Sequence, residues 1–338
     1  MIHVGVDLHQ RFCYMTALEA RGKMIQAGPV TNEKLALRKY FRQYRGQDVQ
    51  VAVEACGFWP AFREVVEPEV KRLVLVHPQR VKAIASAKLK NDRVDSATLA
   101  HLLRCDLLPE SWKADRETQA WRQQVRLRAT LVRQRTRLKN QVHAVLHQQG
   151  LRSPVTDLFG KRGRWWLAQV KLPAQARESV NVCLRLLDGY SEEIQKQNLQ
   201  LSERAKQDKR VEWLLTIPGI GECSAMMVLA EIGDIGRFHD ADALCSYAGL
   251  VPRVRESAGK AARGGITRQG SPWLRWMMVE AAQVATRSSP AARRYYEKLL
   301  RKKHKHVARV ALARKLLIAV YVLLQDGAVF DEDKFAAV

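Results

Sequence analysis

Four carboxylates in the first third of the chain stand where a metal ion could be held. Asp7 follows an apolar run at residues 2–6, and such a run predicts a buried strand. A buried carboxylate is unfavourable unless it is paired or binds a metal. Glu54 ends a second run of this kind, and Asp92 and Asp95 lie three positions apart, on one face of a predicted helix.

A set of this kind suits phosphodiester chemistry with two metal ions. Mg²⁺ prefers oxygen ligands and keeps several waters, so three or four carboxylates suffice to hold it. Two Mg²⁺ ions about 4 Å apart would activate one oxygen and stabilise a leaving oxygen. Clustered carboxylates repel one another, so at least one should have a raised pKa without metal. The alternative is four ordinary strand-end and helix-surface residues, and their joint occurrence favours the metal site.

The histidines and cysteines give no comparable pattern. His3, His9, His77 and His101 have no metal-ligand spacing, and we interpret them as structural or surface residues. No two of the six cysteines have zinc-ligand spacing, so neither a zinc site nor a disulfide framework is indicated. With no signal peptide and no apolar run near ~18 residues, we expect a cytoplasmic protein without a transmembrane helix.

The elements that must position the carboxylates follow the order βββαβαβα, which is typical of an RNase H-like (RuvC-like) α/β fold. In that fold the first strand is central and the fourth lies beside it, so Asp7 and Glu54 would meet. The predicted strands are 2–9, 11–18, 23–30, 49–54 and 73–76. The predicted helices are 31–44, with Thr31 as N-cap, and 59–66, 79–87 and 92–105.

The charge of the chain favours a polyanionic partner. Its 57 Lys and Arg residues outnumber 34 Asp and Glu, giving a net charge of +23, which suits phosphate contacts and counterion release. Residues 1–111 carry 17 basic and 12 acidic side chains, so about +18 falls on the remainder. The first third therefore resembles a catalytic module and the rest a nucleic-acid-binding one, although a generally basic protein would show the same composition.

Beyond the first third the pattern becomes helical. Two long helices, 114–149 and 174–209, predict an antiparallel coiled-coil hairpin that could also be an oligomer contact. We predict four regions: the RuvC-like domain at 1–112, the long helices at 113–209, a mostly α C-terminal domain at 210–328 and a tail at 329–338.

Two segments of the C-terminal region could contact or attack a phosphate. Residues 217–221, Ile-Pro-Gly-Ile-Gly, resemble the hairpin of a helix-hairpin-helix module, although an ordinary helix–turn–helix corner fits equally well. Ser257 lies among cations at 253–260, where a hydroxyl could act as nucleophile, although residue chemistry alone favours an ordinary loop hydroxyl. Ser271 is a second candidate, but it precedes Pro272 and is better explained as a helix N-cap.

Basic residues, and glycines that allow close backbone approach, make up the predicted nucleic-acid contacts. Trp165 and Trp166 could stack on bases, but they are better explained as core residues of the helical hairpin. The predicted contact residues are Lys90, Arg93, Arg133, Arg137, Arg164, Gly219, Gly221, Arg253, Lys260, Arg263 and Arg268.

The sequence resembles the DEDD transposases of insertion sequences related to the Piv DNA invertase, a group that includes recombinases guided by a bridge RNA or seek RNA. The motifs that carry the resemblance span nearly the whole chain. In the first third they are residues 5–9 (GVDLH), 53–57 (VEACG) and 90–96 (KNDRVDS), and in the C-terminal region 217–221 (IPGIG), 247–252 (YAGLVP) and 264–270 (GGITRQG).

The resemblance implies roles that spacing alone could not give. Asp7, Glu54, Asp92 and Asp95 would bind Mg²⁺, two ions per site, and Ser257 would form a covalent phosphoserine link to DNA. The segment at Ser257 is Ser-Ala-Gly, where the family often has Ser-Gly-Gly, so Ser271 stays as the alternative nucleophile. The implied partners are donor DNA, target DNA and a noncoding guide RNA, with a homo-oligomer between dimer and tetramer.

Other functions also fit the residues. One is a Piv-like site-specific invertase that works without guide RNA. Another is a RuvC-like nuclease that selects DNA structures and hydrolyses them with water. A nucleic-acid-binding protein without catalytic activity is the remaining alternative.

Overall fold

The computed structural model describes residues 1–85, 91–257 and 260–337, without the side chains of 254–257 and 260–263. The chain forms two compact units, Met1–Lys113 and Ala114–Val338. In the described part of the chain, no helix combines the length and apolar character needed to cross a membrane.

A five-stranded mixed sheet forms the centre of the first unit. The strand order is β3-β2-β1-β4-β5, with β1 antiparallel to β2 and parallel to β4. The prediction that the first strand is central and the fourth lies beside it is therefore confirmed. The strands are β1 (Ile2–Leu8), β2 (Phe12–Glu19), β3 (Met24–Thr31), β4 (Val49–Glu54) and β5 (Arg72–Val76).

Helices cover both faces of this sheet. α1 and α2 pack on one face, and α3 and α4 on the other, because side chains on a strand alternate between faces. The predicted N-cap at Thr31 is wrong: Thr31 pairs with Phe12 at the end of β3, and the N-cap is Glu33. These helices are α1 (Lys34–Arg42), α2 (Trp59–Val66), α3 (Pro78–Ile84) and α4 (Asp92–Arg104).

Gly5 lets α4 lie directly on the central strand. A Cβ at Gly5 would be 2.0 Å from the carbonyl oxygen of Ser96 and 2.4 Å from the amide nitrogen of Ala100. Beside this contact, the hydroxyls of Thr16 and Ser96 form a buried hydrogen bond of 2.8 Å between β2 and the helix. The close packing at Gly5 and the hydrogen bond between Thr16 and Ser96 thus position the first turn of α4 relative to Asp7.

Replacing Gly5 by alanine is expected to destabilise the first unit. The added Cβ would overlap backbone atoms of α4, and overpacking of a core usually costs about 1–3 kcal/mol. We expect a loss at the upper end of that range or beyond, measured by urea denaturation. Gly28→Ala is the matched control, since a Cβ at this strand position meets no described atom within 4 Å. Equal stability of Gly5→Ala and the wild type would contradict the prediction.

The second unit begins with the predicted antiparallel helical hairpin. Its arms are α5 (Arg116–Gln148) and α7 (Ala174–Ala205), with the short α6 (Lys161–Gln169) between them. Hydrogen bonds from Arg204 to Glu117 and from Arg128 to Asn198 show the antiparallel direction. The second arm ends earlier than predicted because Asp208 caps a new helix.

Short helices and one β-hairpin make up the rest. The segment that contains Ser257, for which no strand is predicted from the sequence, forms two paired strands, β6 and β7. The predicted tail contains a helix, α14, whose Phe335 is buried in the hydrophobic core and whose Glu332 accepts a hydrogen bond from the Ser289 hydroxyl. The elements are α8 (Lys209–Leu215), α9 (Glu222–Ile232), α10 (Ala241–Tyr247), β6 (Pro252–Ser257), β7 (Lys260–Ile266), α11 (Pro272–Ser288), α12 (Pro290–Leu300), α13 (Lys305–Asp326) and α14 (Glu332–Ala337).

Candidate metal centre and serine segment

Asp7 and Glu54 leave the sheet at the same edge. β1 and β4 are parallel, and Val6 pairs with Val53, one residue before each carboxylate. Both side chains are half-buried. The carboxyl ends of two adjacent parallel strands thus bring together residues 47 positions apart in the sequence.

The first turn of α4 adds Asp92 and Asp95 to this edge. Asn91 caps the helix by accepting a hydrogen bond from the Val94 amide. The positive end of the helix dipole stabilises carboxylates in a first turn. Farther along the helix, Leu99 and Leu103 are buried against the sheet and hold this end in place.

His9 lies between two of the predicted metal ligands. Its Nε2 atom is 3.4 Å from Oδ2 of Asp7 and 3.4 Å from Oδ2 of Asp92. One ligand atom from each of these three residues falls within 4.8 Å of the others. The interpretation of His9 as a structural or surface residue is therefore incomplete, because it overlooks these two neighbours. Its position two residues after Asp7 was the available signal, because alternate residues of a strand share a face.

Burial raises the pKa of the Asp7 carboxyl above its ordinary value, and the negative charges of Asp92 and Asp95 raise it further, while His9 opposes them. This agrees with the expectation that clustered carboxylates include one with a raised pKa. A divalent cation would remove the repulsion that causes part of the shift. The donor set, carboxylate oxygens with one imidazole nitrogen at mutual distances below 4.8 Å, fits such an ion.

Two of the residues predicted to contact nucleic acid, Arg93 and Lys90, are close in sequence to Asp92. Arg93 is exposed on α4, beside Asp92. Lys90 lies outside the described residues.

The serine segment belongs to the β6–β7 hairpin. Ser257 pairs with Lys260 in the last pair of the ladder, the one farthest from the helices that the hairpin joins. The side chains of Ser257, Lys260 and Arg263 lie outside the described part of the structure.

The base of the hairpin is held by two glycines in left-handed conformations. Gly249 has φ of +66° and Gly270 has φ of +96°. A Cβ at Gly270 would lie 2.0 Å from the carbonyl oxygen of Tyr247, and the Ser271 amide donates to that same oxygen at 2.8 Å. The motifs at 247–252 and 264–270 are therefore in contact, where they anchor the hairpin to the helical core.

Ser271 is an N-cap, as predicted. It is 7% exposed, and its hydroxyl oxygen accepts a hydrogen bond from the Leu274 amide at 3.1 Å. The same hydroxyl donates to Oε2 of Glu231 at 2.8 Å. Glu231 is fully buried and is also bound by both Nε and Nη2 of Arg126, at 2.7 and 2.9 Å. No pattern in the sequence indicates that this carboxylate is buried.

Two of the predicted nucleic-acid contacts on the helices have partners within the protein. The guanidinium of Arg133 lies over the rings of Trp273 and Trp276, 4.4 and 4.6 Å from their centroids. Arg164 forms an ion pair with Asp188. Both side chains thus contribute to packing between helices.

Three other predicted contacts lie at the surface, as Arg133 also does. Arg137, Arg253 and Arg268 are exposed, and Arg253 donates to the Thr267 carbonyl. Arg268 has φ of +56°.

The two glycines of the 217–221 motif differ in their surroundings. Gly221 is exposed at the N-cap of α9. A Cβ at Gly219 would be 2.2 Å from the Ala281 carbonyl oxygen, so Gly219 is needed for packing against α11.

The tryptophans of α6 also differ. Trp165 is exposed, whereas Trp166 packs against the core of the helical hairpin.

Comparisons with known proteins cover both sites. The profile of the DEDD transposases of the IS110 type matches residues 4–150, and the profile described as Transposase IS116/IS110/IS902 family matches residues 211–297. A probable family 20 transposase of Pseudomonas aeruginosa is 28% identical over 335 residues, 95% of this chain and 96% of that protein. The transposase for insertion sequence element IS1328 of Yersinia enterocolitica is 27% identical over 289 residues, 83% and 85% of the two chains. The transposase for insertion sequence element IS1111A of Coxiella burnetii is 26% identical over 333 residues, 95% and 89% of the two chains.

Proposed function

The chain belongs to the DEDD transposase family of IS110-type insertion sequences, and we propose that it cuts and rejoins DNA with a divalent metal and a serine nucleophile. The observation that carries the proposal is the convergence of Asp7, His9 and Asp92 at the carboxyl edge of the sheet. Glu54 ends the adjacent strand, and Asp95 is in the same helical turn as Asp92. Mg²⁺, two ions per site, is the proposed cofactor.

The proposed fold of the first unit is RNase H-like. The strand order β3-β2-β1-β4-β5, with β1 to β3 antiparallel and β4 parallel to β1, supports this assignment. For residues 217–221 we propose a helix-hairpin-helix contact with a phosphate. The exposed Gly221 at the start of α9 supports it, because free amide groups at a helix N-terminus attract anions.

The serine step exchanges one phosphodiester for another. The Ser257 oxygen would attack a DNA phosphorus, the bond to one DNA oxygen would break, and the serine proton would pass through solvent to that leaving oxygen. A hydroxyl of a second strand would then attack the phosphoserine and return a proton to Ser257. The divalent metal, when bound by the carboxylates, would stabilise negative charge on the reacting phosphate.

Guidance by a noncoding RNA that pairs with donor and target DNA is also proposed. The excess of about +18 beyond residue 111, with exposed cations such as Arg137 on α5, supports a large polyanionic partner. A protein of this kind can bind the sugar-phosphate backbone of the nucleic acid, while base pairing between RNA and DNA selects the sequence. In the proposed assembly, between dimer and tetramer, the carboxylates of one protomer work with Ser257 of another.

Recombination between donor and target plasmids, with the RNA that flanks the element supplied or omitted, tests the proposal. We expect joined products that require the RNA, a divalent metal and both sites. Activity that persists without RNA would instead indicate a Piv-like invertase. Cut DNA with free 5′-phosphates and no protein–DNA adduct would indicate a hydrolytic nuclease.

A further inference from the structure

The backbone of His9 is held firmly at the end of the central strand. Its amide donates to the Phe12 carbonyl at 3.0 Å, and the side-chain amide of Asn32 donates to the His9 carbonyl at 3.0 Å. The Phe12 ring packs against the imidazole, with 4.9 Å between centroids. These contacts direct the imidazole into the space between Asp7 and Asp92.

The Nε2 atom of His9 is available to bind an ion. It is buried and has no hydrogen-bond partner within the described part of the chain. It lies 3.4 Å from one oxygen of Asp7 and 3.4 Å from one oxygen of Asp92. Adjacent ligands of an octahedral ion with bonds of about 2.1 Å are about 3 Å apart, so small side-chain shifts would place all three on one ion.

We propose that His9 is itself a metal ligand, through Nε2, and that it makes the site prefer Mn²⁺ over Mg²⁺. This rests on the proposed function, because it concerns the same metal centre. Imidazole nitrogen suits transition metals, whereas carboxylate and water suit Mg²⁺ as well as Mn²⁺. A mixed set of nitrogen and oxygen donors therefore shifts the preference away from Mg²⁺, compared with four carboxylates alone.

A different role for His9 would use the same position. As an imidazolium, it could balance the charges of Asp7 and Asp92 without metal and be displaced when an ion binds. The two roles differ in one observable property of the loaded protein: only a ligand places nitrogen in the coordination sphere of the metal.

The test is electron paramagnetic resonance of the full-length protein with Mn²⁺ alone, with no nucleic acid present. We expect nitrogen hyperfine coupling from a directly bound imidazole in the wild type and its loss in His9→Gln, which offers an oxygen at a similar reach. His101→Ala is the matched control, because His101 is exposed near the far end of α4 and should not affect the signal.

Competition between Mn²⁺ and Mg²⁺ gives a second measurement. We expect His9→Gln to lower the affinity for Mn²⁺ by about tenfold or more, since even an outer-shell partner of a metal contributes that much. The affinity for Mg²⁺ should fall less, because imidazole nitrogen suits Mn²⁺ better than Mg²⁺.

The outcomes separate this inference from the proposed function. Mn²⁺ binding that depends on Asp7, without nitrogen coupling from His9, would overturn the role of His9 and leave the metal-dependent function standing. Equal, weak Mn²⁺ binding by the wild type and Asp7→Asn would overturn both.

Discussion

Replacing Asp7 by asparagine is expected to abolish DNA cleavage and joining while leaving the first unit folded. Asparagine keeps the shape of the side chain at the end of β1 but removes one charge that the divalent metal requires. Metal-assisted stabilisation of a phosphoryl transition state is worth several kcal/mol, and each 1.36 kcal/mol is tenfold in rate, so we expect a loss of roughly a thousandfold or more.

The same change should stabilise the metal-free protein. Burial and neighbouring carboxylates raise the pKa of Asp7 in the folded state. The folded state then binds more protons than the unfolded state as pH rises through the unfolded and folded pKa values, so stability falls across that window. At neutral pH the ionised Asp7 therefore destabilises the fold, and Asp7→Asn removes this effect. Added Mn²⁺ or Mg²⁺ should raise the melting temperature of the wild type and have less effect on the variant.

Plasmid recombination and thermal melting, each with and without metal, measure the two effects together. Asp106→Asn is the control: Asp106 has a left-handed backbone, which asparagine also tolerates, and its side chain is 91% exposed. It should change neither activity nor the response to metal. An Asp7→Asn protein that retains recombination would show that Asp7 is not a ligand that the reaction needs.

Local sequence pattern and strand order predicted part of the candidate metal centre. An apolar run that ends on a carboxylate is visible in the sequence at both Asp7 and Glu54, and the βββαβαβα order predicts that β1 and β4 are neighbours. The observed pairing of Val6 with Val53 confirms that adjacency. The spacing of Asp92 and Asp95 likewise placed them in one helical turn.

The position of His9 two residues after Asp7 is visible in the sequence, but its significance depends on a partner 83 residues later in the chain. The packing of α4 on the central strand at Gly5 helps to bring Asp92 to the imidazole. Ligand patterns that can be read from sequence are local, whereas this one is made by a contact between a helix and a strand.

The serine segment shows a related limit. Few apolar residues occur at 252–266, so the sequence pattern did not indicate strands. Contacts at the base of the hairpin hold its two strands together instead, where the loop at Gly249 packs against the loop at Gly270. Glu231 was also missed, since a glutamate within an apolar helix gives no sign that an arginine from α5 will neutralise it.

Ser257→Ala is expected to lose activity but keep its stability, whereas Ser271→Ala is expected to lose stability but keep its activity. Ser257 is at the end of the hairpin ladder, away from the helical core, so its loss should leave stability nearly unchanged. As the proposed nucleophile, it is required for the phosphoserine bond. We expect Ser257→Ala to give no covalent protein–DNA adduct and no joined product, although it still binds metal and nucleic acid.

Ser271→Ala should instead lower the free energy of unfolding. The change removes the N-cap of α11, worth about 1 kcal/mol, and takes one hydrogen bond from the buried Glu231, worth about 1–3 kcal/mol. Ser271→Thr keeps the hydroxyl and should recover much of the loss. The DNA adduct should still form with folded Ser271→Ala, because its hydroxyl has a structural role in the cap and in the bond to Glu231.

Two measurements on the same preparations decide between the serines: the fraction of labelled donor DNA that stays attached to denatured protein, and the midpoint of urea unfolding. A stable Ser271→Ala protein without adduct, beside an active Ser257→Ala protein, would reverse the assignment. The surroundings of Ser271 argue against it as the nucleophile, because a nucleophile needs a hydroxyl that can approach DNA. Ser271 is 7% exposed, and its oxygen both accepts from a helix amide and donates to a buried carboxylate. Freeing that hydroxyl to attack a phosphate would break the cap of α11 and remove one of the hydrogen bonds to Glu231, so catalysis there would work against the fold.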